Sequence, residues 1–155
     1  MLLLVAALGV AMAQTGADLA MQAQREREAA LLVIGDQFRV AIGRYYDSGP
    51  GGRYPSALSD LVEDNRTGVT VRHLRRVYAD PLGGSAGWGL VPGPDGTIMG
   101  VFSQAPGRPV KQANFPPGYD GFKDKSAYAE WVFVDRRSQT GASGANAQAS
   151  GQMGS

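Results

Sequence analysis

The first 46 residues, from Met1 to Tyr46, contain no proline, and this uninterrupted stretch constrains the chain more than any other feature. It opens with thirteen apolar or small residues, MLLLVAALGVAMA, and carries no charged side chain before Asp18. It then passes through Arg25-Glu26-Arg27-Glu28 into an amphipathic segment ending at Tyr45-Tyr46. Read as one helix it spans roughly 65–70 Å at about 1.5 Å per residue. That is far longer than a globular chain of 155 residues needs. The pattern predicts a small head mounted on a helical stalk.

The apolar start admits three readings. Ala11-Met12-Ala13 has the small-x-small look of a signal-peptide cleavage site, although nothing basic precedes the run. A transmembrane helix needs about 20 apolar residues, and seventeen uncharged residues precede Asp18. A buried core helix would need covering on all sides, which a small head cannot provide. A membrane or assembly role would fall on Leu2, Leu3, Leu4, Val5, Leu8, Val10 and Met12. Continuity into the amphipathic part favours an anchor that is retained.

That amphipathic part sets Leu31, Ile34, Phe38, Ile42 and Tyr45 at spacings of 3, 4, 4 and 3, a single helical stripe that would pack on the head. Arg25 with Glu28 and Asp36 with Arg39 stand three apart and can pair along the surface. Leu32, Val33 and Val40 lie off the stripe and form a candidate subunit-contact face. Asp47-Ser48-Gly49-Pro50-Gly51-Gly52 ends the helix, because proline cannot continue it and glycine accepts positive φ. A short helix follows at Tyr54-Pro55-Ser56-Ala57-Leu58-Ser59-Asp60-Leu61, with Leu58 and Leu61 inward. A second is expected over Val71 to Tyr78, burying Leu74 and Val77, with Arg72, Arg75 and Arg76 in solvent and His73 at the surface or capping.

Beyond the turn at Asp80-Pro81-Leu82-Gly83-Gly84 the period changes to two. Trp88 to Val91 and Thr97 to Ser103 flank a proline- and glycine-rich loop and read as a β-hairpin. Tyr128 to Val134 reads as a third strand, with Trp131 and Phe133 on one face. The long segment Gln104 to Ala127 must be functional or ordered by packing. From Arg136 the chain becomes Gly, Ala, Ser and Gln, a composition expected to be disordered. The domain reading is an apolar assembly helix over 1–23, a head over 24–135 and a tail over 136–155.

Few residues point to chemistry. There is no cysteine, hence no disulfide and no thiolate metal site, and one histidine rules out a two-histidine cluster. No G-x-S-x-G elbow is present, and Gly93-Pro94-Asp95-Gly96 lacks the lysine of a phosphate loop. Calcium takes about six to eight oxygen ligands. Asp120 and Asp124 supply two carboxylates beside Lys123 and Lys125, so no ion is assigned. A net charge of +1 gives no pull towards nucleic acid. No enzyme and no cofactor are expected.

The order of these elements resembles the type II secretion pseudopilins. Tyr54, Pro55, Leu58 and Leu61 are similar to the YP-x-x-L-x-x-L stretch of that family, and Tyr78-Ala79-Asp80-Pro81-Leu82-Gly83 to its Asp-Pro turn before the first strand. The resemblance covers roughly residues 2 to 134. It implies an α+β, pilin-like fold, with a long N-terminal helix, membrane-spanning in its first half, packed on a three- to four-stranded antiparallel sheet. It also implies a structural subunit of a pseudopilus or related fibre that supports protein export. Such a subunit would be a single-pass protein of the bacterial inner membrane with its head in the periplasm. Its partners would be other pseudopilins, the inner-membrane secretion machinery and, before assembly, membrane lipid. The basic leader and Gly-Phe-Thr-like processing site of that family are not seen before the apolar run, so the expectation is that translation starts upstream of Met1. The alternative is a periplasmic binding module released by cleavage after Ala13.

Overall fold

The computed structural model describes residues 2–83 and 86–137, with side chains from residue 14 onward. One helix, α1 (Leu2–Ser48), runs for 47 residues, about 70 Å at a rise near 1.5 Å per residue. No proline interrupts its hydrogen-bond ladder. It stops where Pro50 bars continuation and Gly51 and Gly52 turn the chain at φ 78° and 54°.

The upper half of α1 packs on an antiparallel sheet of β1 (Trp88–Pro92), β2 (Ile98–Ser103) and β3 (Phe133–Val134), in the order β1-β2-β3. The β1–β2 hairpin pairs Trp88 with Ser103 and Leu90 with Val101, and its turn places Asp95 and Gly96 at positive φ. Leu31, Phe38, Ile42 and Tyr45 are buried, with Ile34 partly so, against Val101, Trp131, Phe133 and Tyr128. The Phe38 ring meets Trp88 edge-on at 5.1 Å. Helix and sheet approach closely at Gly35, where a Cβ would lie 2.5 Å from the Phe133 ring. The result is an α+β arrangement of one long helix on a small sheet.

Several elements depart from the sequence reading. The strand expected over Tyr128 to Val134 shrinks to Phe133–Val134, while Tyr128–Glu130 forms a 3₁₀ turn. The Glu130 carboxylate accepts the N–H groups of Ser126 and Ala127 at 3.0 and 3.1 Å, which winds the chain before it can join the ladder. No helix forms over Val71 to Tyr78. The N–H groups of His73 and Leu74 both go to the Leu61 carbonyl, and the Val71 carbonyl, which a helix would offer to the Arg75 N–H, accepts that of Asp64 instead. Leu74 is buried, whereas Val77 is 44% exposed. Leu32, read as lying on the far side of the helix, is buried, because the segment after β2 folds over it.

No helix among the described residues is long and apolar enough to cross a membrane. This overturns the single-pass inner-membrane placement with a periplasmic head. Gln14, Thr15, Asp18, Gln22 and Gln24 interrupt the apolar character of α1 before it reaches the roughly 20 residues a bilayer requires. The side chains of Leu2, Leu3, Leu4, Val5, Leu8, Val10 and Met12 and the tail from residue 138 lie outside the described residues.

With Phe38 wholly buried, Phe38→Ala should destabilise the head by about 3–5 kcal/mol. Denaturant unfolding followed by tryptophan fluorescence should show a large loss of midpoint, and an unchanged midpoint would refute this packing.

Candidate functional site

Glu28 points inward from α1 and is only 1% exposed. It does not form the surface pair with Arg25 that the spacing allowed. Its carboxylate accepts the backbone N–H of Val110 at 2.6 Å, that of Lys111 at 2.9 Å and the Tyr128 hydroxyl at 2.6 Å. Gln24 donates to the same Tyr128 oxygen. Burial and the hydrogen bond to Glu28 push the Tyr128 phenol up to about 12. A buried carboxylate satisfied by three donors ties the segment after β2 to one height on the helix.

That tie leaves a groove between α1 and the returning chain. Ala29, Leu32 and Val33 form one wall, Val110, Asn114 and Pro116 the other, with Arg25 and Lys111 at the mouth, enclosing about 470 Å³. It continues past Leu32, Val33 and Pro116 into a second hollow of about 380 Å³ beside Arg39, Tyr119 and Arg136. Val33 is 60% exposed at the junction. Below the head, residues 14–22 of α1 are exposed, with Leu19 at 63% and Met21 at 46%. Thus Val33 faces solvent, Val40 is half-buried and Leu32 floors the groove.

At the upper end of the groove, Arg39 donates to Asp36 from Nε at 2.9 Å and from Nη2 at 2.7 Å, and Nε also reaches the Tyr119 oxygen at 3.0 Å. The Tyr119 hydroxyl donates to Asp36 in turn. Burial opposes ionisation of Asp36, but the bonds from Tyr119 and Arg39 outweigh it and hold the carboxyl below its ordinary value. Burial, then the bond to Asp36, raises Tyr119 to about 12. The three bonds to Asp36 all fall on its Oδ1, and the side chain stays 42% exposed.

A serine, a histidine and an aspartate meet at the end of α1. His73, expected at the surface or capping, has a side chain only 4% exposed, and its Nε2 lies 3.0 Å from Asp64 and 3.3 Å from Ser48 Oγ. A nucleophilic relay needs carboxylate and hydroxyl on opposite ring nitrogens; here both sit on Nε2. The cluster serves structure instead. Arg66 clasps Asp64 from Nε at 2.8 Å and Nη2 at 2.7 Å, and Nη2 donates to the Tyr45 carbonyl at 2.6 Å. The guanidinium lies 3.5 Å above the Tyr45 ring. A cation on the last carbonyls of a helix complements its dipole. Asp64 is held well below the carboxylate range, chiefly by the Arg66 bonds, against the cost of burial.

The residues of the pseudopilin-like motifs also carry structural contacts. Pro55 accepts the N–H of Ile98, Tyr54 donates to Asp135 at 3.3 Å, Leu61 is fully buried and Leu58 packs beside it. Asp80, just before half-buried Pro81, accepts the N–H of Leu82 at 2.9 Å and the Ser103 hydroxyl at 2.6 Å. Asp120 and Asp124 are exposed, and no group of three or more histidines or carboxylates that could hold a metal occurs among the described residues. Comparison with protein-family models, curated proteins and solved structures finds no match.

Two variants check this geometry. Glu28→Gln keeps the shape but cannot accept three donors on two anionic oxygens, so amide exchange at Val110 and Lys111 should accelerate at least tenfold while β2 stays protected. Asp64→Asn should cost about 3 kcal/mol near neutral pH by leaving Arg66 uncompensated. Because the folded Asp64 titrates below its ordinary 3.8, its contribution is complete above that pH and lost as the pH falls further. The stability gap between wild type and Asp64→Asn should therefore narrow below about pH 4; a constant gap would refute the assignment.

Proposed function

We propose that this chain is a structural subunit of a pilus-like fibre, of the kind that the pseudopilins build in support of protein export. The observation that carries the reading is α1 itself: a 47-residue helix whose upper half is the spine of the head, while residues 14–22 stand exposed with Leu19 and Met21 in solvent. A head of this size has no use for the lower half unless other copies cover it. In the fibre the lower helices bundle into a core and the heads form the coat. Burial of apolar side chains holds the bundle, at about 25 cal/mol per Å² removed from water. The chain's part is mechanical, and its titratable clusters serve the fold.

Negative-stain microscopy of the concentrated full-length chain should show filaments. Val33→Asp places a charge on an exposed position, so the head should melt unchanged while filaments disappear. Filaments that form normally from Val33→Asp would make this face plain solvent surface.

A further inference from the structure

A third hollow, of about 500 Å³, opens where the chain from His73 to Tyr78 runs beside α1. Asp36, Val40 and Arg44, spaced four apart on the helix, form one wall, and His73, Arg75 and Tyr78 form the other. Arg39, Arg66 and Arg137 each hold a carboxylate. Arg44 and Arg75, by contrast, have no ion pair or hydrogen bond among the described residues. Arg76 lies 5.0 Å from the Tyr78 ring, which brings a third guanidinium to the same wall.

The carboxylates nearby do not neutralise this charge. Asp64 is 1% exposed and is taken by Arg66 and His73. Asp36 is paired with Arg39 at 2.7 Å and stands two helical turns from Arg44, about 12 Å along the axis. No acidic residue occurs from Val71 to Ala79. The walls are also fixed. Arg44 rises from α1, while Arg75 follows buried Leu74, and the N–H groups of His73 and Leu74 are both held by the Leu61 carbonyl. Beyond Arg75, the Tyr78 carbonyl accepts Trp88 Nε1 at 2.7 Å. A ligand would have to order only side-chain ends, which keeps the entropic cost of binding low.

A guanidinium presents paired N–H donors that fit an oxyanion. Two of them without a counter-ion match a phosphate monoester, which carries about −1.5 to −2 at neutral pH, better than a single carboxylate. Gln37 adds a neutral amide to the lining. We infer that this hollow binds a phosphate monoester, with the phosphate between Arg44 and Arg75 and its organic group in the remaining volume. The inference does not rest on the fibre reading.

The test is a titration of the full-length chain with inorganic phosphate at constant ionic strength, followed by NMR at the arginine Nε–H groups. Those of Arg44 and Arg75 should shift and saturate. Arg44→Gln and Arg75→Gln should each weaken binding about tenfold, through loss of a hydrogen bond to a charged group. Arg108→Gln removes the same charge from an exposed position outside the hollow and should leave the affinity unchanged. All three positions are exposed, so an unchanged melting temperature shows that each variant folds. O-phosphoserine and vesicles containing phosphatidic acid then separate a soluble ester from a lipid headgroup, the source being the one that binds more tightly than inorganic phosphate. Shifts that never saturate overturn the site, and so does an equal loss in Arg108→Gln, which would make the effect one of bulk charge. Displacement of phosphate by equimolar acetate, or no gain in affinity from either ester, overturns the phosphate monoester.

Discussion

The arrangement hangs on a carboxylate in an unexpected place. Glu28 occupies the middle of a long helix, on the side that meets the head, and is almost wholly removed from water. An isolated buried charge is costly, and removing one partner of a satisfied buried charge costs about 3–5 kcal/mol. Here two backbone amides and a phenol meet the charge. The constraint works in both directions: the helix needs the loop's donors, and the loop can sit only where those donors reach Glu28. A segment without regular strands is held in this way against α1, and its far side becomes the wall of a groove.

A sheet whose third strand has only two residues is too slight to make a core alone. Aromatic packing supplements it. Phe122 stacks on Trp131 at 5.6 Å, Phe115 meets Trp131 edge-on at 5.3 Å, and Tyr119 meets Phe133 at 5.7 Å. Phe115, Tyr119 and Phe122 all come from the segment between β2 and the Tyr128 turn, which thereby does the work of a missing layer. Such ring pairs each contribute about 0.5–1.5 kcal/mol beyond the area they bury. The same segment presents Pro116 and Pro117 outward to the groove, so core and surface features share one stretch of chain.

What was legible in the sequence divides along the range of the interactions. The length of α1, its end at Pro50 and the hairpin were readable because proline, glycine and apolar periodicity act within a few residues. The roles of Glu28, Asp64 and His73 were not. Glu28 lies three residues from Arg25 and pointed to a surface pair; its actual partners stand far away in sequence at Val110, Lys111 and Tyr128. His73 is buried by Asp64 and by the end of a helix that closes 25 residues earlier. Leu32 looked surplus to the helix stripe for the same reason, since the chain that covers it comes after β2. The turn at Tyr128 was masked by its own apolar side chains, which read as strand until Glu130 takes up the amides before it. The tendency of the first residues towards a membrane was overstated, because polar residues enter α1 before the span is long enough.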